Sequence, residues 1–264
     1  MNEMKMKSFF LFFFLIQRLC FCVEIGTVEE APGNFTDENG QVVGLSVDFV
    51  KEIQGRIGDG SPIIMYPTSR TIKYSIEKPN FVSFSLSRTE TREDNYYWIS
   101  LVMRKSLVLY AKRDSKYSIK DLEEAKAVDS VGVVRNSIQH DFLIENNFNN
   151  IIPSLDHETG FKRLLSGSLS LMYHSPHGMA KLCRDFNIDI NELEPVLIIR
   201  ISNSYIAMSK ISDPAIVRAW QDAAKEIKAD GTFNRLAQKW LIYTEEYIGI
   251  PSEIKDGALN FWRE

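Results

Sequence analysis

LVLYAKR, residues 107–113, is a short apolar stretch that ends in basic residues, and a similar stretch, YIAMSK, follows at residues 205–210. Both have the apolar content of a buried strand. If the chain leaves one lobe through the first stretch and returns through the second, the residues between them form an inserted lobe. The pair of stretches therefore predicts two lobes that are joined by two crossovers.

Strand-like and helix-like segments alternate on both sides of these stretches. The strand candidates are Val23–Val28, Pro62–Tyr66, Leu101–Tyr110, Val131–Val134, Ile151–Ile152, Leu169–Tyr173 and Val196–Ile201. Helix-like segments at Ser137–Asn147 and Glu158–Leu165 lie between them. This alternation predicts an α/β fold in which helices cover each sheet.

Three further helices have recognisable ends. Ser46 is a candidate N-cap for a helix that ends at Gly58, and Asp213-Pro214 combines an N-cap with proline at the first helical position. Thr232 begins another helix after Gly231. In the helix after Asp213, one apolar face is predicted to consist of Ile216, Val217, Trp220, Ala223, Ala224 and Ile227.

The charge balance argues against a nucleic-acid partner. The 264 residues include 31 basic and 35 acidic residues, for a net charge of −4. A chain without a basic excess offers no broad positive surface to phosphates. We therefore expect no nucleic acid among its partners.

The amino terminus has the pattern of a secretory signal. Lys5 and Lys7 precede the apolar run Phe9–Ile16, which is too short to span a membrane. Cys20–Cys22 meets the rule for small residues at the last and third-last positions before cleavage, so residues 1–22 are the predicted signal peptide and Val23 the mature start. We expect an exported protein. An uncleaved amphipathic start is the alternative.

The cysteines bear on both anchoring and crosslinking. A lipid anchor would need a small residue before the acylated cysteine, but Leu19 precedes Cys20 and Phe21 precedes Cys22. A lipid anchor is therefore disfavoured. After cleavage Cys183 alone remains, so the mature chain cannot form an internal disulfide, and Cys183 is predicted to be a buried small apolar side chain.

Hydroxyl and guanidinium groups are concentrated in SFSLSRTETREDNYYWI, residues 83–99. Ser85 and Ser87 alternate and would face one side of a strand, and an arginine such as Arg88 or Arg92 can bind a carboxylate through two parallel hydrogen bonds. The hydroxyls and guanidiniums of this stretch predict an acceptor site for a carboxylate. The alternative is a polar loop with surface arginines.

Motifs for cofactors, metals and nucleophilic catalysis are missing. The sequence has no P-loop, no dinucleotide glycine motif and no G-x-S-x-G. His174 and His177 could be drawn into a metal site with Cys183, but Pro176 disfavours a regular helix face there. We expect no catalytic residue, no metal and no cofactor, and histidines that are solvated or that line a pocket.

Five segments in order resemble one family. The opening VEIGTVEEAPGNF (23–35) and the strand-to-helix element DENGQVVGLSVDFVKEI (37–53) are followed by the T-x-x-R motif at Thr89–Arg92. VGVVRNSIQ (131–139) resembles the loop of a second lobe, and KADGTFNRLAQKW (228–240) the ending. Together they resemble the bacterial extracellular solute-binding proteins of family 3, the amino-acid-type receptors of ATP-driven importers.

The resemblance implies a periplasmic-binding-protein type II fold. Each lobe would be a mixed sheet flanked by helices, with lobe 1 formed by residues 23–108 and 205–264 and lobe 2 by residues 109–204. The implied function is capture of a small carboxylate-bearing ligand, an amino acid or a related compound, and its delivery to the permease of an ABC importer. We expect a periplasmic monomer that is not an enzyme.

The resemblance also assigns the residues around the ligand's carboxylate. The gripping arginine falls on Arg92, with Ser85 and Ser87 as flanking contacts. The loop of the second lobe that meets the same carboxylate falls on Arg135, Asn136 and Ser137. Asn136 stands where the family usually has glycine.

Two positions depart from the family pattern. The acidic residue that holds the ligand's ammonium is replaced by Ser175, next to His174, and the aromatic lid of the opening loop is missing near Glu30 and Ala31. Glu30 is a candidate replacement for the lost negative charge. We therefore expect an anionic or zwitterionic ligand.

Two other functions fit the same resemblance. One is a ligand-sensing module for a membrane receptor. The other is an enzyme of the cyclohexadienyl-dehydratase type, for which His174, Glu30 and His140 are the candidate acids and bases. In the segment after Trp240, aromatic and apolar residues predict that the tail packs back on lobe 1; they are Tyr243, Tyr247, Ile250 and Trp262.

Overall fold

The computed structural model describes residues 23–115, 117–249 and 251–262. The predicted signal peptide, residues 1–22, lies outside the described residues, as does Ile250 of the tail. The strands are β1 (Glu24–Thr27), β2 (Phe35–Thr36), β3 (Val42–Val43), β4 (Ile63–Met65), β5 (Phe81–Ser87), β6 (Tyr96–Lys112), β7 (Val131–Val134), β8 (Ile151–Ser154), β9 (Leu171–His174), β10 (Leu193–Ser209), β11 (Glu253–Lys255) and β12 (Ala258–Asn260). The helices are α1 (Leu45–Ile57), α2 (Thr68–Glu77), α3 (Leu122–Lys126), α4 (Ile138–Glu145), α5 (His157–Leu165), α6 (Pro176–Asp185), α7 (Pro214–Ala229) and α8 (Thr232–Tyr243).

Two long strands, β6 and β10, join the halves of the molecule. They pair antiparallel from Tyr96 with Ser209 to Lys112 with Leu193, at the centre of a sheet with the order β4-β1-β5-β10-β6-β9-β7-β8. At one end β5 pairs with β10, and at the other end β9 pairs with β6. Strands β1, β4 and β5 with α1, α2, α7 and α8 form the first lobe, and β7–β9 with α3–α6 form the second.

Separate hydrophobic cores support the two lobes. The first lobe has one large buried cluster that includes Phe49 on α1 and Trp220 on α7. In the second lobe, one cluster covers each face of the sheet, with Leu109 in one and Phe161 in the other. The predicted α/β fold with two lobes and two crossover strands is confirmed.

The carboxyl-terminal helices match their sequence signals. The Asp213 side chain accepts a hydrogen bond from the Ala215 N–H, and Pro214 is the first residue of α7. All six residues of the predicted apolar face are buried. Since the face was read from periodicity alone, the spacing of apolar residues was sufficient to orient this helix.

The predicted N-cap of α1 was wrong. The cap residue is Gly44, at φ 136°, and Ser46 lies inside the helix and is fully buried. The backbone of Gly44 passes so close to Gly33 that an added Cβ would come within 2.2 Å of the Gly33 oxygen. The close approach of the opening loop therefore requires glycine at this position, and Ser46 turns its hydroxyl toward Ser85.

The tail forms a hairpin against the central sheet. Strand β12 pairs with β11 and lies parallel to β6, with Leu259 opposite Met103. Phe261 follows β12, and its ring contacts the imidazole of His177 on α6, with centroids 3.7 Å apart. The tail therefore contacts both a crossover strand and the second lobe.

No helix among the described residues has both the length and the apolar character needed to cross a membrane.

Candidate functional site

A narrow cavity of about 50 Å³ lies between the lobes, and we call it the inner cleft. The first lobe contributes Ser85, Ser87 and Arg92 to its lining, and the second lobe contributes Asn136 and Ser137. The structure thus brings together five of the residues that the sequence and the resemblance predict for the carboxylate site.

Ser85 occupies an irregular position in β5. Its φ of 58° lies in the left-handed region, and the pairing of β5 with β10 shifts register between Tyr205 and Ala207. The Ser85 hydroxyl donates to Asn34 Oδ1 in the opening loop. Non-glycine residues with positive φ in a bulged strand concentrate at functional sites, because the bulge redirects a side chain.

Two more serines of the first lobe lie beside this position. The Ser87 and Ser202 hydroxyls are 2.7 Å apart. Ser83 also lines the inner cleft and is buried, and its hydroxyl has no hydrogen-bond partner among the described residues. A buried hydroxyl without a partner is costly, so the Ser83 hydroxyl is available to a bound polar group.

Arg92 makes an ion pair across the cleft. Its Nη2 lies 2.5 Å from Oδ2 of Asp141, a residue of α4 in the second lobe. The Arg92 side chain is 11% exposed and that of Asp141 35% exposed. The guanidinium that was predicted to bind the ligand's carboxylate is therefore paired with a carboxylate of the protein itself.

The loop before α4 has the geometry expected of glycine. Asn136 adopts φ 59°, which asparagine tolerates better than most residues. The Ser137 hydroxyl caps α4 by accepting a hydrogen bond from the His140 N–H at 3.2 Å. Arg135 is exposed and lines neither this cleft nor the larger chamber described below.

Glu30 has a buried cationic partner on a crossover strand. The Lys105 ammonium of β6 lies 2.7 Å from Glu30 Oε1, and the two side chains are 4% and 10% exposed. Burial alone would raise the pKa of Glu30, but the positive charge of Lys105 lowers this pKa to about 2. Glu30 is therefore ionised and paired at neutral pH.

Ser175 contacts Glu30 from the second lobe. As the N-cap of α6, its hydroxyl accepts from the Gly178 N–H at 3.3 Å and donates to Glu30 Oε1 at 3.4 Å. The hydroxyl contributes no charge, so at the position where the resemblance places an acidic residue the structure has a neutral hydrogen bond to Glu30.

Two stacked histidines cover the same region. The rings of His157 and His174 are 4.2 Å apart and nearly parallel. Burial lowers the pKa of His157 and holds that of His174 well below its ordinary value, so both are neutral. His174 fits only because Gly178 has no side chain, since a Cβ there would lie 2.3 Å from the imidazole.

A larger cavity of about 480 Å³ adjoins the inner cleft, and we call it the outer chamber. Glu30, Thr68 and His157 line both cavities. His174 and Ala31 line the outer chamber alone. Because the two cavities share these three residues, they lie next to each other, and Arg92 lines the inner cleft alone.

No group of three or more histidine, cysteine, aspartate or glutamate side chains among the described residues is arranged to hold a metal ion. Cys183 is buried, as predicted, and burial raises the pKa of its thiol to about 11. A thiol that stays protonated is a poor nucleophile and a poor metal ligand.

Sequence reasoning missed three residues of the site: Asp141, Lys105 and His157. Lys105 is the clearest omission, because a basic residue within a strand-like apolar stretch indicates a buried charge that needs a partner. Asp141 and His157 gave no comparable signal, since a polar residue in the first turn of a helix is ordinary.

Comparisons with known proteins agree with this architecture. The chain matches the bacterial extracellular solute-binding proteins, family 3, over residues 23–243. None of the curated proteins matches it. Among solved structures, a histidine kinase sensor domain with similarity to periplasmic binding proteins has a TM-score of 0.74 and 17% identity, over 83% of this chain and 96% of that one.

Two more solved structures share the fold. The solute receptor for L-cysteine of Neisseria gonorrhoeae has a TM-score of 0.74 and 14% identity, over 92% of this chain and 96% of that one. An ancestral amino acid-binding protein, AncCDT-1, described as a precursor of cyclohexadienyl dehydratase, has a TM-score of 0.66 and 20% identity, over 83% and 94% of the two chains. The family match over residues 23–243 shows that this protein belongs to the bacterial extracellular solute-binding proteins of family 3.

Proposed function

We propose that this protein captures a small carboxylate-bearing ligand, an amino acid or a related compound, between its lobes and delivers it to an ABC importer. The observation that carries the proposal is the pairing of Arg92 with Asp141 in the inner cleft. This buried guanidinium already binds a carboxylate from the opposite lobe, so it has the geometry to bind the carboxylate of a ligand.

Binding then requires an exchange of carboxylates on Arg92. Asp141 is about one-third exposed, so it can turn to solvent at modest cost when the ligand takes its place. The hydroxyls of Ser83, Ser85 and Ser87 lie on the first-lobe side of the cleft, and Ser137 lies on the second. Such a ligand stabilises the closed form because it contacts both lobes at once.

The crossover strands support the proposed lobe boundaries. Lobe 1 would comprise residues 23–108 and 205–264, and lobe 2 residues 109–204. Strand β5 pairs with β10 between Ser204 and Met208, whereas β9 pairs with β6 between Val108 and Tyr110. The hinge would lie between these two sets of pairings, where β6 and β10 pair mainly with each other.

The proposed setting is the periplasm. Residues 1–22 would direct export and be removed, and family membership supports a location outside the cytoplasm. The mature protein would act as a monomer and bind the permease of its importer while holding the ligand.

A sensing role is the second candidate, favoured by the similarity to a histidine kinase sensor domain. Both roles use the same pocket, so they differ in what the closed protein contacts. Loss of ligand uptake in a strain without the protein would support delivery. Normal uptake with loss of a transcriptional response to the ligand would support sensing.

We propose a binding protein and not an enzyme, although one structural neighbour is a precursor of a dehydratase. Of the candidate acids and bases, Glu30 is held by Lys105, and His140 Nδ1 accepts a hydrogen bond from the Asn136 N–H at 3.3 Å. Consumption of the bound ligand by substoichiometric protein would contradict this part of the proposal.

The proposal is tested by identifying the ligand that co-purifies with the protein, by mass spectrometry, and titrating it calorimetrically into ligand-free protein. We expect Arg92→Ala to weaken binding at least about 30-fold, because truncation of a buried charged partner costs about 2–5 kcal/mol. Arg218→Ala, an exposed arginine on α7, is the matched control. Equal affinities in the two variants would contradict the site.

A further inference from the structure

The walls of the inner cleft have more positive than negative charge. Among the described residues, the charged side chains that line it are Arg92, Lys105 and Glu30. His157 lines it as well, but burial lowers the pKa of its imidazole, so this side chain is neutral. The other polar side chains of the lining are hydroxyls and amides, which form hydrogen bonds but supply no charge. Within the described lining, Glu30 is therefore the one carboxylate that an ammonium group of a ligand could meet.

The charge of Glu30 is already balanced inside the protein. The Lys105 ammonium lies 2.7 Å from Oε1 of Glu30, and the Ser175 hydroxyl donates to the same oxygen. An ammonium group that approached Glu30 from the cleft would also approach the Lys105 ammonium. Away from water, the repulsion between two such cations offsets the attraction of each to the carboxylate. A ligand's ammonium therefore finds no free negative charge at Glu30.

Lys105 cannot leave Glu30 in the way that Asp141 can leave Arg92. Lys105 lies on β6 in the middle of the central sheet, and its side chain is 4% exposed, whereas that of Asp141 is 35% exposed. A partly exposed carboxylate can turn to water at modest cost. The Lys105 ammonium would instead remain buried without a counter-charge, which is strongly unfavourable. A ligand can therefore displace Asp141 but not Lys105.

The charges in the cleft balance only with an anionic ligand. When a ligand's carboxylate replaces Asp141, it compensates Arg92, while Glu30 continues to compensate Lys105. The ammonium of an α-amino acid is attached to the carbon that bears the carboxylate, so it would lie in the same narrow cavity of about 50 Å³. There it would be a buried positive charge without a partner, which is costly.

From these contacts we propose that the inner cleft selects carboxylates with no ammonium beside the carboxylate, such as α-hydroxy and α-oxo acids, over α-amino acids of the same shape. An oxygen at that position needs hydrogen bonds alone. The Ser137 hydroxyl in the lining accepts from the His140 N–H and can donate its own hydrogen to such an oxygen. The inference rests on the proposed function, and it makes Lys105 and Glu30 the pair that determines specificity.

Calorimetric titration of the ligand-free mature protein with matched pairs of acids tests the inference. The pairs are L-lactate with L-alanine and L-malate with L-aspartate, which differ in having a hydroxyl in place of the ammonium. We expect the hydroxy acid of a pair to bind at least about tenfold more tightly, because the ammonium of the amino acid has no counter-charge in the cleft.

Lys105→Met serves as the test variant. The matched control is Lys112→Met, which changes another lysine of β6 that does not line the inner cleft. Without the Lys105 ammonium, the Glu30 carboxylate is open to a ligand's ammonium. We expect Lys105→Met to shift the preference toward the amino acid of each pair by about tenfold or more, and the control to leave it as in the original protein. Lys105→Met combined with Glu30→Gln should not produce this shift, because the carboxylate is then missing too.

The outcomes separate this inference from the proposed function. Amino acids that bind as tightly as the hydroxy acids or more tightly, and that lose binding in Arg92→Ala, would overturn the selection against ammonium and leave the carboxylate site intact. Binding that persists in Arg92→Ala would contradict the carboxylate site itself. If no probe binds, the inference is overturned, and the co-purified ligand decides whether the carboxylate site stands. If Lys105→Met does not fold, the paired titrations of the original protein still decide.

Discussion

Arg92 and Asp141 face each other from opposite lobes, with Nη2 of the arginine 2.5 Å from Oδ2 of the aspartate. Arg92 lies between β5 and β6 of the first lobe, and Asp141 lies in the first turn of α4 in the second lobe. It therefore makes, without a ligand, a contact of the kind that a bound carboxylate would make. If the proposed site is right, a ligand's carboxylate and Asp141 compete for the same guanidinium.

Removing the competitor should strengthen binding. We predict that Asp141→Asn tightens the binding of a carboxylate ligand up to about fivefold, because a partly exposed ion pair is worth about 1 kcal/mol or less. Calorimetry measures the change. Glu145→Gln, an exposed carboxylate at the other end of α4, is the control, and equal effects of the two changes would contradict the competition.

The buried pair of Glu30 and Lys105 should matter to stability. We predict that Glu30→Gln lowers the free energy of unfolding by about 3–5 kcal/mol, because it leaves the Lys105 ammonium buried without its counter-charge. Urea unfolding measures the loss. The double variant Glu30→Gln with Lys105→Met should recover much of the stability, and a double variant as unstable as the single one would count against the ion pair as the cause.

His177 should contribute to destabilisation in acid. Burial, helped by the positive charge of Lys105 and opposed by Glu30, lowers the pKa of His177 to about 3, against 6.5 for an ordinary histidine. The unfolded chain therefore binds a proton between pH 6.5 and about 3 that the folded chain does not, and stability is lost as pH falls through this range.

Replacing His177 by leucine should remove this contribution. Between pH 6 and pH 4 we predict that the unfolding free energy of His177→Leu falls less steeply, by up to about 1.4 kcal/mol per pH unit. Urea unfolding at several pH values gives both slopes. Identical slopes would show that His177 does not titrate as its burial implies.

The tail hairpin should hold the lobes together. Phe261 is 4% exposed and contacts His177 on α6, so we predict that Phe261→Ala costs about 3–5 kcal/mol of stability. Small-angle scattering of the ligand-free protein should also show a larger radius of gyration. The control is Ile211→Ala, which truncates a side chain that is 58% exposed, and an equally small effect of both changes would contradict a structural role for the tail.

The fold could be predicted from the sequence wherever a local pattern decides the structure. The apolar spacing in α7 and the Asp213-Pro214 start depend on neighbouring residues only, and both were right. The same is true of Gly58, which ends α1 at φ 71°. The N-cap of α1 was predicted wrongly because the position of Gly44 depends on its close contact with Gly33, which lies in the opening loop outside the helix.

The candidate site was predicted only in part, for the same reason. Ser85, Arg92 and Ser137 line the inner cleft as expected. The partners of the charged residues, Asp141 for Arg92 and Lys105 for Glu30, lie far away in the chain and meet only in the folded lobes. Periodicity and spacing contain no information on such pairs, which decide how charge is distributed in the cleft.

The central claim is that a ligand's carboxylate replaces Asp141 on Arg92 between the closed lobes. A crystal structure of the protein with its co-purified ligand tests it most directly. We predict a carboxylate of the ligand within hydrogen-bond distance of the Arg92 guanidinium, with Asp141 displaced toward solvent. A ligand bound elsewhere, with the ion pair of Arg92 and Asp141 intact, would contradict the account.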